Sequence, residues 1–170
     1  MDRAEYSSSQ TGVTVNLASG SGSGGDAEGD SLIGIESVVG SAFNDKLIGD
    51  ALANQLEGRE GNDTLDGGAG NDTLKGGAGI DTATFAASGA AVNVSLGTGQ
   101  GAGGDAEGDQ LEDIENLIGS KFADELSGNE GANQLEGGAG DDWLEGNGGA
   151  DTLVGAPALT PPATWKPPAA

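Results

Sequence analysis

Residues 58–84 read GREGNDTLD, GGAGNDTLK, GGAGIDTAT, three nonapeptides in one frame. Each has small or Gly positions, an Asp, a spacer and one apolar residue. A unit this short cannot bury a hydrophobic face alone and must stack on its neighbours, so the period decides the fold. The frame runs back through GSAFNDKLI and GDALANQLE to Gly40, giving five nonapeptides over 40–84. A second block, GSKFADELS, GNEGANQLE, GGAGDDWLE, GNGGADTLV, covers 119–154. The acidic slot holds Asp45, Asn54, Asp63, Asp72 and Asp81, then Asp124, Asn133, Asp142 and Asp151.

A longer period lies over the short one. A shift of about 79 residues places Tyr6 on Phe85, Val13 on Val92, Ile35 on Ile114 and Leu65 on Leu144. The heptapeptide GGDAEGD occurs unchanged at 24–30 and 103–109. We therefore expect two tandem units. The first, 1–84, has a leader (1–39) and an array (40–84). The second, 85–155, has a leader (85–118) and an array (119–154). All five Pro lie in the last 14 residues, so 156–170 reads as a Pro-rich tail or linker. The same shift puts Asp2 on Asp81, which suggests an excerpt from a longer array with further repeats as neighbours.

Composition asks how such a chain folds at all. Leu, Ile, Val and Phe supply only 31 of 170 residues, while 28 acidic side chains face 6 basic ones for a net charge of -22. Low apolar content with high net charge is the signature of a chain that cannot fold unaided. A cation absent from the sequence resolves the contradiction. The acidic balance argues against nucleic acid and anionic membrane surfaces, and no apolar run is long enough for membrane insertion. The absence of Cys and His removes disulfides, thiolate chemistry, soft-metal sites and imidazole bases. MDRAEYSSSQ lacks the apolar core of a secretory signal peptide.

The spacing predicts an all-β chain. In a three-residue strand the middle side chain points to one face and its neighbours to the other. Leu47, Leu56, Leu65, Leu74, Leu126, Leu135, Leu144 and Leu153 then point inward, and the Gly-rich six residues turn. The result is a flattened coil of two nonapeptides per turn, with parallel strands stacked along two faces. Val13, Val15 and Leu17, like Val92, Val94 and Leu96, alternate with polar residues and predict longer strands. Residues 32–39 and 111–118 predict a second strand region, and Tyr6 and Phe85 are expected to plug the core. No helix is expected.

The turn chemistry suits a hard cation. Calcium takes six to eight oxygens from carboxylates and backbone carbonyls. Gly permits the positive φ that aims carbonyls at one point, and Asp supplies charge. The chain resembles the hemolysin-type calcium-binding repeat, or RTX, family, whose motif is GGxGxDxUx. The arrays that carry the resemblance are about half of the chain. The resemblance implies a parallel β-roll solenoid with several Ca2+ ions, each between a turn and the next turn on the same side. The implied pairs are Asp45 with Asp63, Asn54 with Asp72, Asp63 with Asp81, Asp124 with Asp142, and Asn133 with Asp151. Gly61, Gly68, Gly70, Gly77, Gly79, Gly138, Gly140 and Gly149 complete the implied turns. Asn54 and Asn133 keep an oxygen but lose a charge, so weaker sites are expected there. Phe43 and Phe122 stand where a consensus Gly belongs, so the expectation is strongest at Asp63, Asp72, Asp81, Asp142 and Asp151. GGDAEGD reads two ways. Asp26, Glu28 and Asp30, with Asp105, Glu107 and Asp109, form either an extra calcium loop or an acidic turn kept for shape.

The expected function is a non-catalytic calcium-binding module of a secreted bacterial protein. It would be disordered without calcium and fold outside the cell, after type I secretion. A spacer, adhesin or matrix role, with cell-surface or polysaccharide contact, follows from the tandem units. The alternative is an accessory C-terminal module of a secreted protease, lipase or polysaccharide-modifying enzyme, with glycan binding as its role there. No nucleophile motif accompanies the paired carboxylates, so an enzyme is not expected.

Overall fold

A computed structural model describes residues 1–156. The Pro-rich stretch from Pro157 onward, with Trp165, lies outside them. Seventeen short strands follow one another among the described residues. In the first unit they are β1 (Arg3–Glu5), β2 (Thr14–Asn16), β3 (Ser21–Ser23), β4 (Ser37–Val39), β5 (Lys46–Ile48), β6 (Gln55–Glu60), β7 (Thr64–Asp66), β8 (Thr73–Ala78) and β9 (Thr82–Thr84). The second unit supplies β10 (Asn93–Ser95), β11 (Gln100–Ala102), β12 (Gln110–Glu112), β13 (Asn116–Ile118), β14 (Glu125–Ser127), β15 (Gln134–Glu136), β16 (Trp143–Glu145) and β17 (Thr152–Val154).

The strands form two sheets. One runs β1-β4-β6-β8-β12-β11-β10-β14-β16 and the other β17-β15-β13-β9-β7-β5-β2-β3. Within the arrays every pairing is parallel and displaced by two nonapeptides, as in Lys46↔Thr64 and Gln55↔Thr73. The chain is therefore a parallel β-roll, one coil per 18 residues. Period-two alternation sets what is inside. The middle residue of each central strand faces the other sheet: Val38, Leu56, Leu74, Val94 and Leu126 from one side, Val15, Leu47, Leu65, Ala83, Leu117 and Leu135 from the other, all essentially inaccessible. The core is one apolar side chain deep per strand, which is how 18% large apolar residues suffice. No helix among the described residues is long and apolar enough to cross a membrane.

The leaders differ from expectation. The predicted long strand over Val13, Val15 and Leu17 is only β2, and its counterpart is only β10. Val13 and Leu17 are buried beyond the strand ends, because the chain reverses at Leu17–Gly20 and returns antiparallel as β3. The second leader does the same with β10 and β11. Gly22 and Gly101 stand at the core position of the returning strands, where a Cβ would meet the Ala27 or Ala106 carbonyl. Single 3-10 turns at Gly25–Ala27 and Gly104–Ala106 put those alanines, fully buried, into the core instead. The predicted strand region 111–118 is split between the two sheets by a three-residue corner, 113–115. Asp113 turns it at φ 52°, where the first unit uses Gly34 at φ 66°. In the first unit, Ser31 makes only an isolated bridge to Ser21, and β4 is the sole strand of 32–39.

Candidate metal centre

Each six-residue turn places its last residue, the acidic slot, at the foot of the next strand. There one carboxylate oxygen accepts the backbone N–H of the same slot one coil earlier. Asp45 donates to Asp63, Asn54 to Asp72, Asp63 to Asp81, Asp124 to Asp142 and Asn133 to Asp151, at 2.7–3.0 Å. The acidic slots thus stack in two columns, one along each edge of the roll. Asp45, Asn54, Asp63, Asp72, Asp81, Asp124 and Asn133 are all buried.

The second oxygen separates these residues. The Oδ2 atoms of Asp63, Asp72, Asp81 and Asp142 are buried with no hydrogen-bond partner. A buried polar atom without a partner is costly, and a buried charge more so. Asp45 and Asp124 are different. Asp45 Oδ2 accepts from Ser41 N–H, and its Oδ1 accepts from Ser41 Oγ at 2.8 Å and Val13 N–H at 2.7 Å. Ser120 and Val92 treat Asp124 in the same way. The opening turn of each array therefore satisfies its own carboxylate, and Phe43 and Phe122 sit partly exposed beside it.

Main-chain oxygens lie beside the orphaned carboxylates of Asp63 and Asp81. A Cβ on Gly58 would collide with Asp63 Oδ2 and stand 2.8 Å from the Gly76 carbonyl; on Gly76 it would meet Asp81 Oδ2 and the Asp113 carbonyl. At Gly49 the same space is bounded by Asn54 Oδ1 and the Gly67 carbonyl. The first glycine of each of these turns keeps this space open, while later turn glycines take positive φ and pack on the preceding coil, as at Gly68 (79°), Gly77 (108°), Gly138 (88°) and Gly149 (101°). Gly61, Gly70, Gly79 and Gly140 share that sign. Among the described residues no three carboxylates converge as a ready cage. The donor set is instead one carboxylate per turn with carbonyls around it, an all-oxygen environment that fits a hard cation such as calcium.

Electrostatics agree. Burial pushes the carboxyls of Asp63 and Asp109 up to about 7 and that of Asp72 up to about 6. The N–H bond from the preceding coil opposes the rise, and neighbouring carboxylates add to it. Asp66, Asp81 and Glu115 are raised first by burial as well.

The structure divides the two heptapeptides. Asp26 accepts from Ser8 Oγ, Glu28 from Gly24 N–H and Asp30 from the Tyr6 hydroxyl, so these three carboxylates point to separate places. Glu107 repeats the Glu28 bond with Gly103 N–H. The Asp105 N–H donates to Ser88 Oγ, and Asp109 alone turns into a column, accepting Asp72 N–H at 2.8 Å. Sequence reasoning missed Glu115, which accepts Asp81 N–H at 2.8 Å and continues the other column. A usable signal was present. Asp109-Gln110-Leu111 and Glu115-Asn116-Leu117 have the acid-x-apolar spacing of Asp63-Thr64-Leu65 without its glycines.

Residues 30–51, 48–83 and 127–156 match the RTX calcium-binding nonapeptide repeat, in four copies. No curated protein matches the chain.

Proposed function

The chain carries repeats of the RTX calcium-binding nonapeptide family, and on that premise we propose that it is a non-catalytic module of a secreted bacterial protein that folds when it meets calcium outside the cell. The observation that supports this reading is the set of buried, unpartnered Asp oxygens in the turns, with turn carbonyls beside those of Asp63 and Asp81. Asp63, Asp72, Asp81 and Asp142, with the carbonyls of their own and stacked turns, would hold the ions. Asp151 joins them at the less buried end of the roll. Asn54 and Asn133 supply a neutral oxygen and weaker sites. A bound calcium supplies the positive charge that the interior lacks and ties one coil to the next. Because the site exists only in the coil, binding free energy is folding free energy. Extracellular calcium modules bind at about 0.1–1 mM, which keeps such a chain unfolded in a cytosol and folded outside it. The rigid roll then serves as a spacer within its parent protein.

Far-UV circular dichroism during a calcium titration to about 10 mM at pH 7.5, with magnesium in parallel, tests this reading. A cooperative change from coil to β with calcium and not with magnesium is expected. A β spectrum that is complete in calcium-free buffer and unaltered by calcium overturns it.

A further inference from the structure

Five buried Asp Oδ2 atoms lack a partner, and four belong to nonapeptide turns. The fifth, Asp109, lies outside the repeats, between the matched segments 48–83 and 127–156. It is 1% exposed, as is Asp72, whose Oδ2 is also orphaned. Asp109 Oδ1 accepts the Asp72 N–H, and Gln110 N–H donates to the Asp72 carbonyl, both at 2.8 Å. From there β12 runs parallel to β8, with Gln110↔Thr73 and Leu111↔Leu74 in register. Asp109 thus occupies the position that the next array turn would fill, had the array continued. The loop that delivers it packs closely, since a Cβ on Gly108 would meet the Asn71 side chain.

We propose that Asp72 and Asp109 hold a calcium ion of their own, at the junction between the two units, and that this ion makes them fold as one body. The inference rests on the calcium reading above. Within an array each ion joins coils of one unit. This ion joins the last coil of the first array to the leader of the second. Without it, two buried carboxylates would face each other across the β8–β12 contact and oppose the docking of that leader.

The first unit provides an internal control. Asp30 is the same position of the same heptapeptide, yet it is exposed and bonded to the Tyr6 hydroxyl. Asp109→Asn removes the charge with little change of shape, and Asn133 shows that a column accommodates an amide, its Oδ1 accepting Asn129 N–H and its Nδ2 donating to the Glu115 carbonyl. Calcium per chain is to be counted by equilibrium dialysis and folding followed by circular dichroism, on the full chain and on the Asp109→Asn and Asp30→Asn variants. The parent and Asp30→Asn should bind the same number of ions in a single transition. Asp109→Asn should bind one ion only at a higher calcium concentration than the parent and fold in two steps. Asp109→Asn with the parent's ion count, the parent's calcium midpoint and one transition overturns the junction site while leaving the calcium module intact. A parent chain that binds no calcium overturns both. Crystals of the unaltered chain grown with calcium give a check free of variant stability. An ion within about 2.6 Å of Asp109 Oδ2 is expected, and its absence there refutes the assignment.

Discussion

Acid should substitute for calcium. The carboxyls of Asp63 and Asp109 are pushed up to about 7 and that of Asp72 to about 6, from 3.8, with burial as the main cause. All three residues are about 1% exposed, so solvent does little to screen them. The calcium-free fold therefore binds protons more tightly than the unfolded chain does, and its stability rises as pH falls from about 7 toward 4. A tenfold difference in proton affinity is worth about 1.4 kcal/mol, so at pH 7.5 Asp63 and Asp109 each oppose folding by about 4 kcal/mol and Asp72 by about 3. Any one of them is a large fraction of the whole net stability of a typical domain, about 5–15 kcal/mol. The roll should not persist at pH 7.5 without calcium, and should regain β structure near pH 5. Circular dichroism and thermal melts in calcium-stripped buffer, without a chelator whose affinity itself falls with pH, read this directly. The gain should begin near pH 7, well above the range where exposed carboxylates titrate, and continue toward pH 4. Equal β content and equal melting temperature at pH 5 and 7.5 would refute the reasoning.

Four substitutions probe other parts of the fold, each measured by denaturant unfolding in saturating calcium. Leu65→Ala removes a fully buried rung of the core and should cost about 3 kcal/mol, whereas Leu153→Ala, at a position 47% exposed, should cost under about 1 kcal/mol. Gly68→Ala sets a Cβ against the Asp50 carbonyl at φ 79° and should destabilise by about 2 kcal/mol or more, with a higher calcium midpoint. Ser41→Ala strips one hydroxyl bond from the buried Asp45 and should cost about 1–2 kcal/mol.

Period and pattern carried most of the fold. The nine-residue spacing names the inward Leu, the turn and the 18-residue coil, because each nonapeptide contains its own strand and its own reversal. What sequence did not disclose lies where a residue's role is set by another coil. Glu115 sits in a corner of three residues, half the usual length, and its extra methylene lets it reach Asp81 N–H from there. Asp45 looks like any acidic slot, but Ser41, four residues earlier, supplies the donors that set it apart. The returning strands of the two hairpins, β3 and β11, are built from Ser, Gly, Gln and Ala, without the apolar alternation that marks a strand. Their inward position is Gly because an alanine from the following turn fills it.

Parity is the other property that a repeat in sequence does not state. β5 lies in the eight-stranded sheet and β14, its copy 79 residues later, in the nine-stranded one. The hairpins alternate as well, β2–β3 in one sheet and β10–β11 in the other. A 79-residue unit therefore advances the roll by an odd number of half-coils. From β5 to β14 the chain crosses between the sheets seven times, and the short corner at 113–115, from β12 to β13, is one of these crossings. The same outward residues consequently appear on opposite faces of successive units: Lys46 faces out from one sheet, and Glu125, its counterpart, from the other. A surface that must present one face to a partner would need a period of two units, whereas a spacer needs only that each coil stack on the last.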